Sequence, residues 1–151
     1  MKKKDVCIDA NVFVASLLPE PARDPCLELI RRLEREERAF YEPAHVTFEV
    51  VSTLHKKLAA GDIEAADADR AIETFYALPV LLQSDSPMLK HATQFAHQLR
   101  LKTIYDGAYL AVAAVRDIPL ITLDGELRNK GRTIHGAIFT VDEFLIRASA
   151  Q

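Results

Sequence analysis

The most informative segment of this sequence reads IYDGAYLAVAAV and covers residues 104–115. It is apolar on nearly every side, which is typical of a helix inside a protein rather than one on its surface. One carboxylate, Asp106, nevertheless stands where this helix would begin. We therefore predict a central buried helix from Asp106 to about Arg116, with an acid at its start.

Short apolar runs elsewhere in the chain predict a buried parallel sheet. Residues 6–8 (VCI) and 120–123 (LITL) are continuous and rich in β-formers, as strands covered on both faces should be. Helical patterns alternate with these runs. The chain is thus expected to have an α/β fold with a central parallel β-sheet flanked by helices. Its 151 residues fit a single domain, 1–151.

Turn and capping signals set the expected ends of several elements. Pro43 is expected to open a helix with an apolar stripe, and Asp62 is expected to cap the next helix. Residues 78–82 (LPVLL) read as a strand whose proline indicates an edge position. Thr140 and Glu143 have the spacing of a capping box for the last helix.

The composition limits the partners and the compartment. A formal net charge of −3 means that contact with a polyanion must rely on a local basic patch or on bound metal. Two cysteines do not make a disulfide framework. No apolar run approaches the roughly 20 residues that span a bilayer. Asp5 and Asp9 interrupt what would be the apolar part of a signal peptide, so a cytoplasmic protein is expected.

Four acids stand where this fold could bring them together. Asp9 and Asp124 each follow a predicted strand, and the ends of parallel strands are where such sheets bind ligands. Asp106 begins the central helix, and Glu49 lies at the rim of an apolar helical stripe. Singly, each has a simpler explanation: an Asp at a helix start is often a cap, and a Glu at a stripe edge is often solvated.

As a set, the four acids predict a metal site. Two carboxylates about 5 Å apart repel by roughly 3 kcal/mol at an effective dielectric constant near 20. Several such pairs would strain a marginally stable domain or raise the pKa of some members. A hard divalent cation removes that conflict, and an all-oxygen ligand set suits Mg²⁺ or Mn²⁺. The five histidines show no i,i+4 pair, which argues against zinc.

The segments that carry these acids resemble the motifs of a known family. They are IDAN (residues 8–11), EVVSTL (49–54), YDGAYLA (105–111) and ITLD (121–124). In this order they are similar to the four acidic motifs of PIN-domain ribonucleases, and most similar to the VapC-type toxins. The resemblance covers residues 5 to about 145. Gly107 stands where alanine is usual, an exchange expected to be conservative.

The resemblance implies a PIN-like three-layer fold and metal-dependent endonucleolytic cleavage of RNA. The catalytic and metal-binding residues it implies are Asp9, Glu49, Asp106 and Asp124, arranged around Mg²⁺ or Mn²⁺. Asn11 and Thr122 match polar positions that could hydrogen-bond and orient those carboxylates. The family also implies a small antitoxin bound over the site, and a homodimer.

Basic and aromatic residues near the expected mouth of the site are candidate RNA contacts, although lone surface cations are mostly just solvated. The basic candidates are Lys102, Arg128, Lys130 and Arg132. Tyr105 could stack on a base, and Tyr109 in the same helix is expected to pack in the core.

The sequence leaves two alternative functions open. A Mg²⁺-dependent phosphatase could use Asp9 as its nucleophile, but such enzymes usually carry a second acid two residues later, where this chain has Asn11. A non-catalytic PIN-like protein-binding module is the other alternative. The intact set of acids argues against it, because a pure scaffold gains nothing from their repulsion.

Overall fold

The computed structural model describes residues 4–150 and shows a mixed α/β architecture in that part of the chain. Residues 1–3, the basic start considered above for a signal peptide, and Gln151 lie outside the described residues. The elements are β1 (Cys7–Ile8), α1 (Ala10–Leu17), α2 (Arg23–Arg35), β2 (Phe40–Pro43), α3 (Val46–Ala59), α4 (Ala65–Tyr76), β3 (Val80–Gln83), α5 (Ser86–Gln98), α6 (Ile104–Arg116), β4 (Leu120–Thr122), α7 (Gly125–Gly131), β5 (Ile138–Thr140) and α8 (Val141–Ser149).

The strands pair in parallel, and the predicted α/β fold around a parallel sheet is confirmed. β1, β4 and β5 form one sheet with β4 in the middle, and β2 and β3 form a second. A single parallel bridge, Val6 with Phe40, joins the two sheets. β3 is an edge strand, as its proline predicts, although it begins at Val80 rather than at Leu78.

Glu42 explains why the pairing between β1 and β2 stops after one bridge. A regular parallel ladder would next join the Ile8 N–H to a backbone carbonyl of β2 and would need an N–H from residue 43, which is proline. Instead, the Ile8 N–H donates to Glu42 Oε1 at 2.7 Å. The carboxyl group of Glu42 is fully buried between the strands, and nothing in the sequence marked it.

The central helix α6 is buried as expected but begins earlier. Thr103 caps it, since its Oγ1 accepts the Tyr105 N–H, and the helix starts at Ile104. Asp106 therefore lies in the first turn rather than at the cap. Tyr109 and the residues after it, up to Ala113, are buried in the core.

Gly107 lets α5 and α6 approach closely. A Cβ atom at this position would lie under 3.0 Å from the Ala92 carbonyl oxygen and 3.1 Å from the Ala96 Cβ. Real Cβ atoms essentially never come within the first of these distances. The expectation that glycine for alanine is a conservative exchange is therefore wrong, because the backbone of α5 occupies the space that an alanine methyl group would need.

Two expected helix starts also differ from the structure, and a third is confirmed in part. Pro43 ends β2, and α3 begins three residues later, which leaves Glu49 in its first turn. α4 is capped by Glu64 rather than by Asp62. Thr140 does cap α8 by accepting the Glu143 N–H at 3.3 Å, but the Glu143 side chain bonds to arginines instead of completing the box. Within residues 4–150, no helix is both long and apolar enough to cross a membrane.

Candidate active site

The four acids singled out from the sequence line one cleft of about 350 Å³. Asp9 follows β1 and Asp124 follows β4, so both lie at the carboxyl-terminal edge of the three-stranded sheet. Asp106 enters from the first turn of α6, and Glu49 enters from the first turn of α3. The structure thus brings together side chains from four separate parts of the chain.

Asp9 is the most buried of the four. Asp9 stands at the N-cap of α1, and the backbone N–H of Asn11 lowers its pKa, but its carboxylate forms no regular capping hydrogen bond, so capping accounts for it only in part. Thr122 Oγ1 donates to Asp9 Oδ2 at 2.8 Å. Burial raises the pKa of Asp9 to about 7, the charges of Asp106 and Glu49 add to that rise, and the Thr122 hydrogen bond opposes it.

The two polar residues, Thr122 and Asn11, connect the acid-bearing segments. Thr122 Oγ1 donates to Asp9 and also accepts the Asp124 N–H at 2.9 Å. Asn11 Oδ1 accepts the Leu123 N–H at 3.2 Å. Thr122 therefore contacts a carboxylate directly, whereas Asn11 holds the backbone next to Asp124.

Asp124 is the acid for which the capping explanation accounts in part. Its Oδ1 accepts the N–H groups of Glu126 at 2.9 Å and Leu127 at 3.1 Å, at the start of α7. Among the described residues, no hydrogen bond reaches Oδ2. One carboxylate oxygen therefore fixes the side chain to the helix, and the other stays available to the cleft.

Glu49 is held by two aromatic neighbours. The Tyr109 hydroxyl donates to Glu49 Oε1 at 2.9 Å and accepts the Ala10 N–H at 3.3 Å. His45 Nε2 lies 2.6 Å from the same Oε1, an ion-pair distance, but the ring N–H is not aligned for a hydrogen bond. Tyr109 is fully buried, as expected, and burial raises the pKa of its hydroxyl, which therefore stays protonated as a donor.

Asp106 is half-buried and forms no hydrogen bond to another described residue. Burial raises the pKa of Asp106, the charges of Asp124 and Glu49 raise it further, and His45 opposes the rise. Since Asp9 also feels Asp106 and Glu49, all four acids belong to one electrostatically coupled group. Burial first, and the neighbouring charges second, make Asp9 and Asp106 harder to ionise.

The donor set fits a hard divalent cation by its chemistry. All four candidate ligands are carboxylates that face one cleft, and their mutual repulsion is what such an ion relieves. Within residues 4–150, no three His, Cys, Asp or Glu side chains already stand together as a formed metal-binding group. The fit therefore rests on ligand type and charge, and binding would draw the carboxylates closer.

Three residues near the acids were not anticipated. Glu20 lines the cleft and forms an ion pair with Lys57 at 2.7 Å, and Thr53 lines it from α3. The third residue is Glu42. Burial and then the negative charge of Asp9 raise its pKa well above the usual value, which favours the protonated form. Glu20 lies between two prolines, and no pattern in the sequence indicates that this turn reaches the cleft.

The basic candidates for RNA contact lie away from the lining of the cleft. Arg128 and Arg132 each form an ion pair with Glu143 at 2.8 Å, and Lys130 pairs with Glu126 at 2.7 Å. Lys102 is exposed. Three of the four are thus committed to acids of the same chain, and their contact with RNA stays a prediction.

Comparisons with known proteins place these features in context. Residues 6–132 match the family described as PIN domain. Ribonuclease VapC12 of Mycobacterium tuberculosis is 34% identical over 123 residues, which cover 81% of this chain and 88% of that protein. Ribonuclease VapC3 of the same organism is 31% identical over 132 residues, which cover 87% of this chain and 91% of that protein. The crystal structure of PAE2754 from Pyrobaculum aerophilum superimposes with a TM-score of 0.71 at 24% sequence identity. The match covers 98% of this chain and 91% of that chain, so the two share a fold.

Proposed function

This chain belongs to the PIN-domain family, as its four motifs predict, and from that premise we propose that it is a metal-dependent endoribonuclease, the toxin of a toxin–antitoxin pair. The observation that carries the proposal is the single cleft lined by Asp9, Glu49, Asp106 and Asp124. Relatives that are named ribonucleases support RNA as the substrate. We further propose that residues 1–151 form one domain acting as a homodimer in the cytoplasm, with a small antitoxin protein as its partner.

The four acids would hold Mg²⁺ or Mn²⁺ at the bottom of the cleft. When bound, the cation supplies charge neutralisation and electrophilic activation of the phosphodiester. The chain itself supplies orientation. Thr122 holds Asp9, Tyr109 holds Glu49, and the N–H groups of α7 hold one oxygen of Asp124.

The same arrangement explains how an acidic protein could bind a polyanion. The cleft is lined by carboxylates, and three of the four basic candidates, Arg128, Lys130 and Arg132, form ion pairs with other acids. A phosphate would therefore be repelled by the cleft without a cation. Loading with the cation offsets two of these negative charges and offers a phosphate oxygen a positive partner, so RNA binding in the cleft should depend on the metal.

Replacing Asp106 with Asn tests the proposal. Saturating Mn²⁺, at about 100 times its Kd, should stabilise the wild type by about 2.7 kcal/mol, a rise in Tm of roughly 5–10 °C. Asp106→Asn should lose that shift and the cleavage of single-stranded RNA. In the absence of metal it should melt no lower than the wild type, because one repelling charge is gone. Asp69→Asn, an exposed acid on α4, is the matched control and should behave as the wild type.

Each result has a distinct meaning. Full nuclease activity in Asp106→Asn would refute the assignment of the site. A wild type with neither a metal response nor nuclease activity would favour the non-catalytic binding module. Release of phosphate from monoesters without cutting of RNA chains would favour the phosphatase that uses Asp9.

A further inference from the structure

A second groove opens directly beside the acidic cleft. It has a volume of about 320 Å³, and it shares Glu49 and Thr53 with the cleft. We call it the aromatic groove, and its lining is His45, Phe48, Glu49, Ser52, Thr53, Lys56 and Tyr105. The two cavities therefore lie side by side along α3.

The groove follows one face of α3. His45, Glu49, Ser52 and Lys56 recur at spacings of three and four residues, which places them in a row along the helix. The rise of about 1.5 Å per residue puts Lys56 roughly 10 Å beyond Glu49 along the helix axis. The row therefore leads from the acids of the cleft to a cation. Among the described residues, Lys56 forms no ion pair.

The aromatic side chains of this groove present open ring surface. Phe48 is 80% exposed, which is unusual for a phenylalanine in a folded chain, and no described side chain covers it. Tyr105 is 49% exposed and stacks on His45, with ring centroids 4.5 Å apart and an angle of 26° between the planes. His45 in turn lies against Glu49 and Tyr109, so this ring pair is held in place by the site itself.

We propose that the aromatic groove binds a nucleobase of the RNA strand whose phosphodiester lies in the acidic cleft, with Phe48 and Tyr105 as stacking surfaces and Lys56 contacting a neighbouring phosphate. The inference rests on the proposed nuclease function. Flat rings bind any base through its π face, and a lysine beside them attracts the backbone. The other walls, Ser52, Thr53 and Glu49, are polar, so the groove suits a base better than an apolar protein helix.

Binding measured without cleavage tests the stacking surface directly. The probe is a fluorescein-labelled single-stranded RNA, added with Ca²⁺ in place of Mn²⁺ to a chain in which all four acids of the cleft are unchanged. Adding Phe48→Ala should weaken binding by about 5- to 150-fold, the range for loss of one stacked base, and Phe48→Tyr should restore it. Tyr76→Ala removes another exposed aromatic, outside the groove and 66% exposed, and should leave the Kd unchanged.

RNAs that lack one base at a time locate the stacked nucleotide. For the chain with Phe48, one abasic position should cost most of the affinity, and Phe48→Ala should no longer respond to that position. In the active enzyme, Phe48→Ala should raise KM more than it lowers kcat. Lys56→Ala should make the plot of log Kd against log salt shallower by about 0.7, whereas Lys90→Ala on α5 should not.

Several results would overturn the proposal. An unchanged Kd in Phe48→Ala would do so whether or not the wild type cuts RNA. A Phe48→Ala chain that changes from dimer to monomer, or that loses only the binding of a protein partner, would assign the groove to a protein interface. Binding that depends on Phe48 in a chain with no nuclease activity would retain the base site and refute the proposed function alone.

Discussion

Replacing Gly107 with alanine measures how closely α5 and α6 pack at the point where Asp106 enters the cleft. The added methyl group would meet the Ala92 carbonyl oxygen at under 3.0 Å, so the two helix backbones must separate by at least several tenths of an ångström. Because the clash is with a backbone atom, overpacking here should cost about 2–3 kcal/mol, in the upper part of the usual range, and the better helix propensity of alanine returns roughly 1 kcal/mol. We expect a net loss of about 1–2 kcal/mol.

Two other glycines in helices provide graded controls for that value. Gly125 has no atom within 4 Å of an added Cβ, so Gly125→Ala should be neutral or stabilising by up to about 1 kcal/mol. At Gly131, the added atom would meet Ile138 Cδ1 at 2.5 Å and Leu110 Cδ2 at 2.8 Å. These are the ends of flexible side chains rather than backbone atoms, so Gly131→Ala should fall between the other two.

Urea denaturation followed by circular dichroism gives all three free energies of unfolding. For a chain of this size, the loss at Gly107 corresponds to a Tm lower by roughly 2–8 °C. The Mn²⁺-induced rise in Tm should also shrink in Gly107→Ala, because α6 carries Asp106 one residue away. A Gly107→Ala protein as stable as Gly125→Ala would show that the helices do not approach as described, and the reasoning would fail.

Two further substitutions probe the groups around the acids. Burial raises the pKa of Glu42 in the folded protein well above its usual value, so its contribution to stability falls as the pH rises above the usual carboxyl pKa. Glu42→Gln should therefore gain stability relative to the wild type as the pH is raised from about 4 to about 7, as urea titrations at each pH would measure. A difference that does not depend on pH would contradict a raised pKa at this buried acid. Tyr109→Phe removes the hydroxyl that donates to Glu49, so it should lower stability by about 1 kcal/mol and reduce the Mn²⁺-induced rise in Tm. The control substitution, Tyr41→Phe, should have neither effect. Equal effects of the two substitutions would argue against a role for this hydrogen bond.

Simple rules of topology were sufficient to place the acids near one another. Asp9 and Asp124 each follow an apolar run, and parallel strands leave their carboxyl ends on one edge, so the two could be expected to meet. The predicted start of the central helix, Asp106, differs from the observed start, Ile104, by only two residues, because the apolar pattern of α6 is long and uninterrupted. The metal-binding and catalytic roles of these residues remain predictions.

Features that depend on which elements become neighbours could not be read from the sequence. Glu42 gave no sign of being buried, because its burial requires β1 and β2 to separate around it and Pro43 to end their pairing. The sequence alone does not distinguish Gly107 from an ordinary substitute for alanine, because the constraint comes from the backbone of α5 at Ala92, which is distant in sequence. Phe48 lies off the apolar stripe of α3, but only the structure shows that its ring lines a groove beside the acidic cleft.

The four acids also differ in how much freedom each has left. Thr122, Tyr109 and the start of α7 restrain Asp9, Glu49 and Asp124, whereas Asp106 has no hydrogen bond among the described residues. A cation that enters the cleft would therefore cost rotamer entropy mainly at one side chain. The Asp106 side chain would also be the one able to adjust to ions of different radius. A longer carboxylate there, Asp106→Glu, should therefore alter the preference between large and small divalent ions. The same change at Asp9 or Asp124, which are restrained, should alter it less.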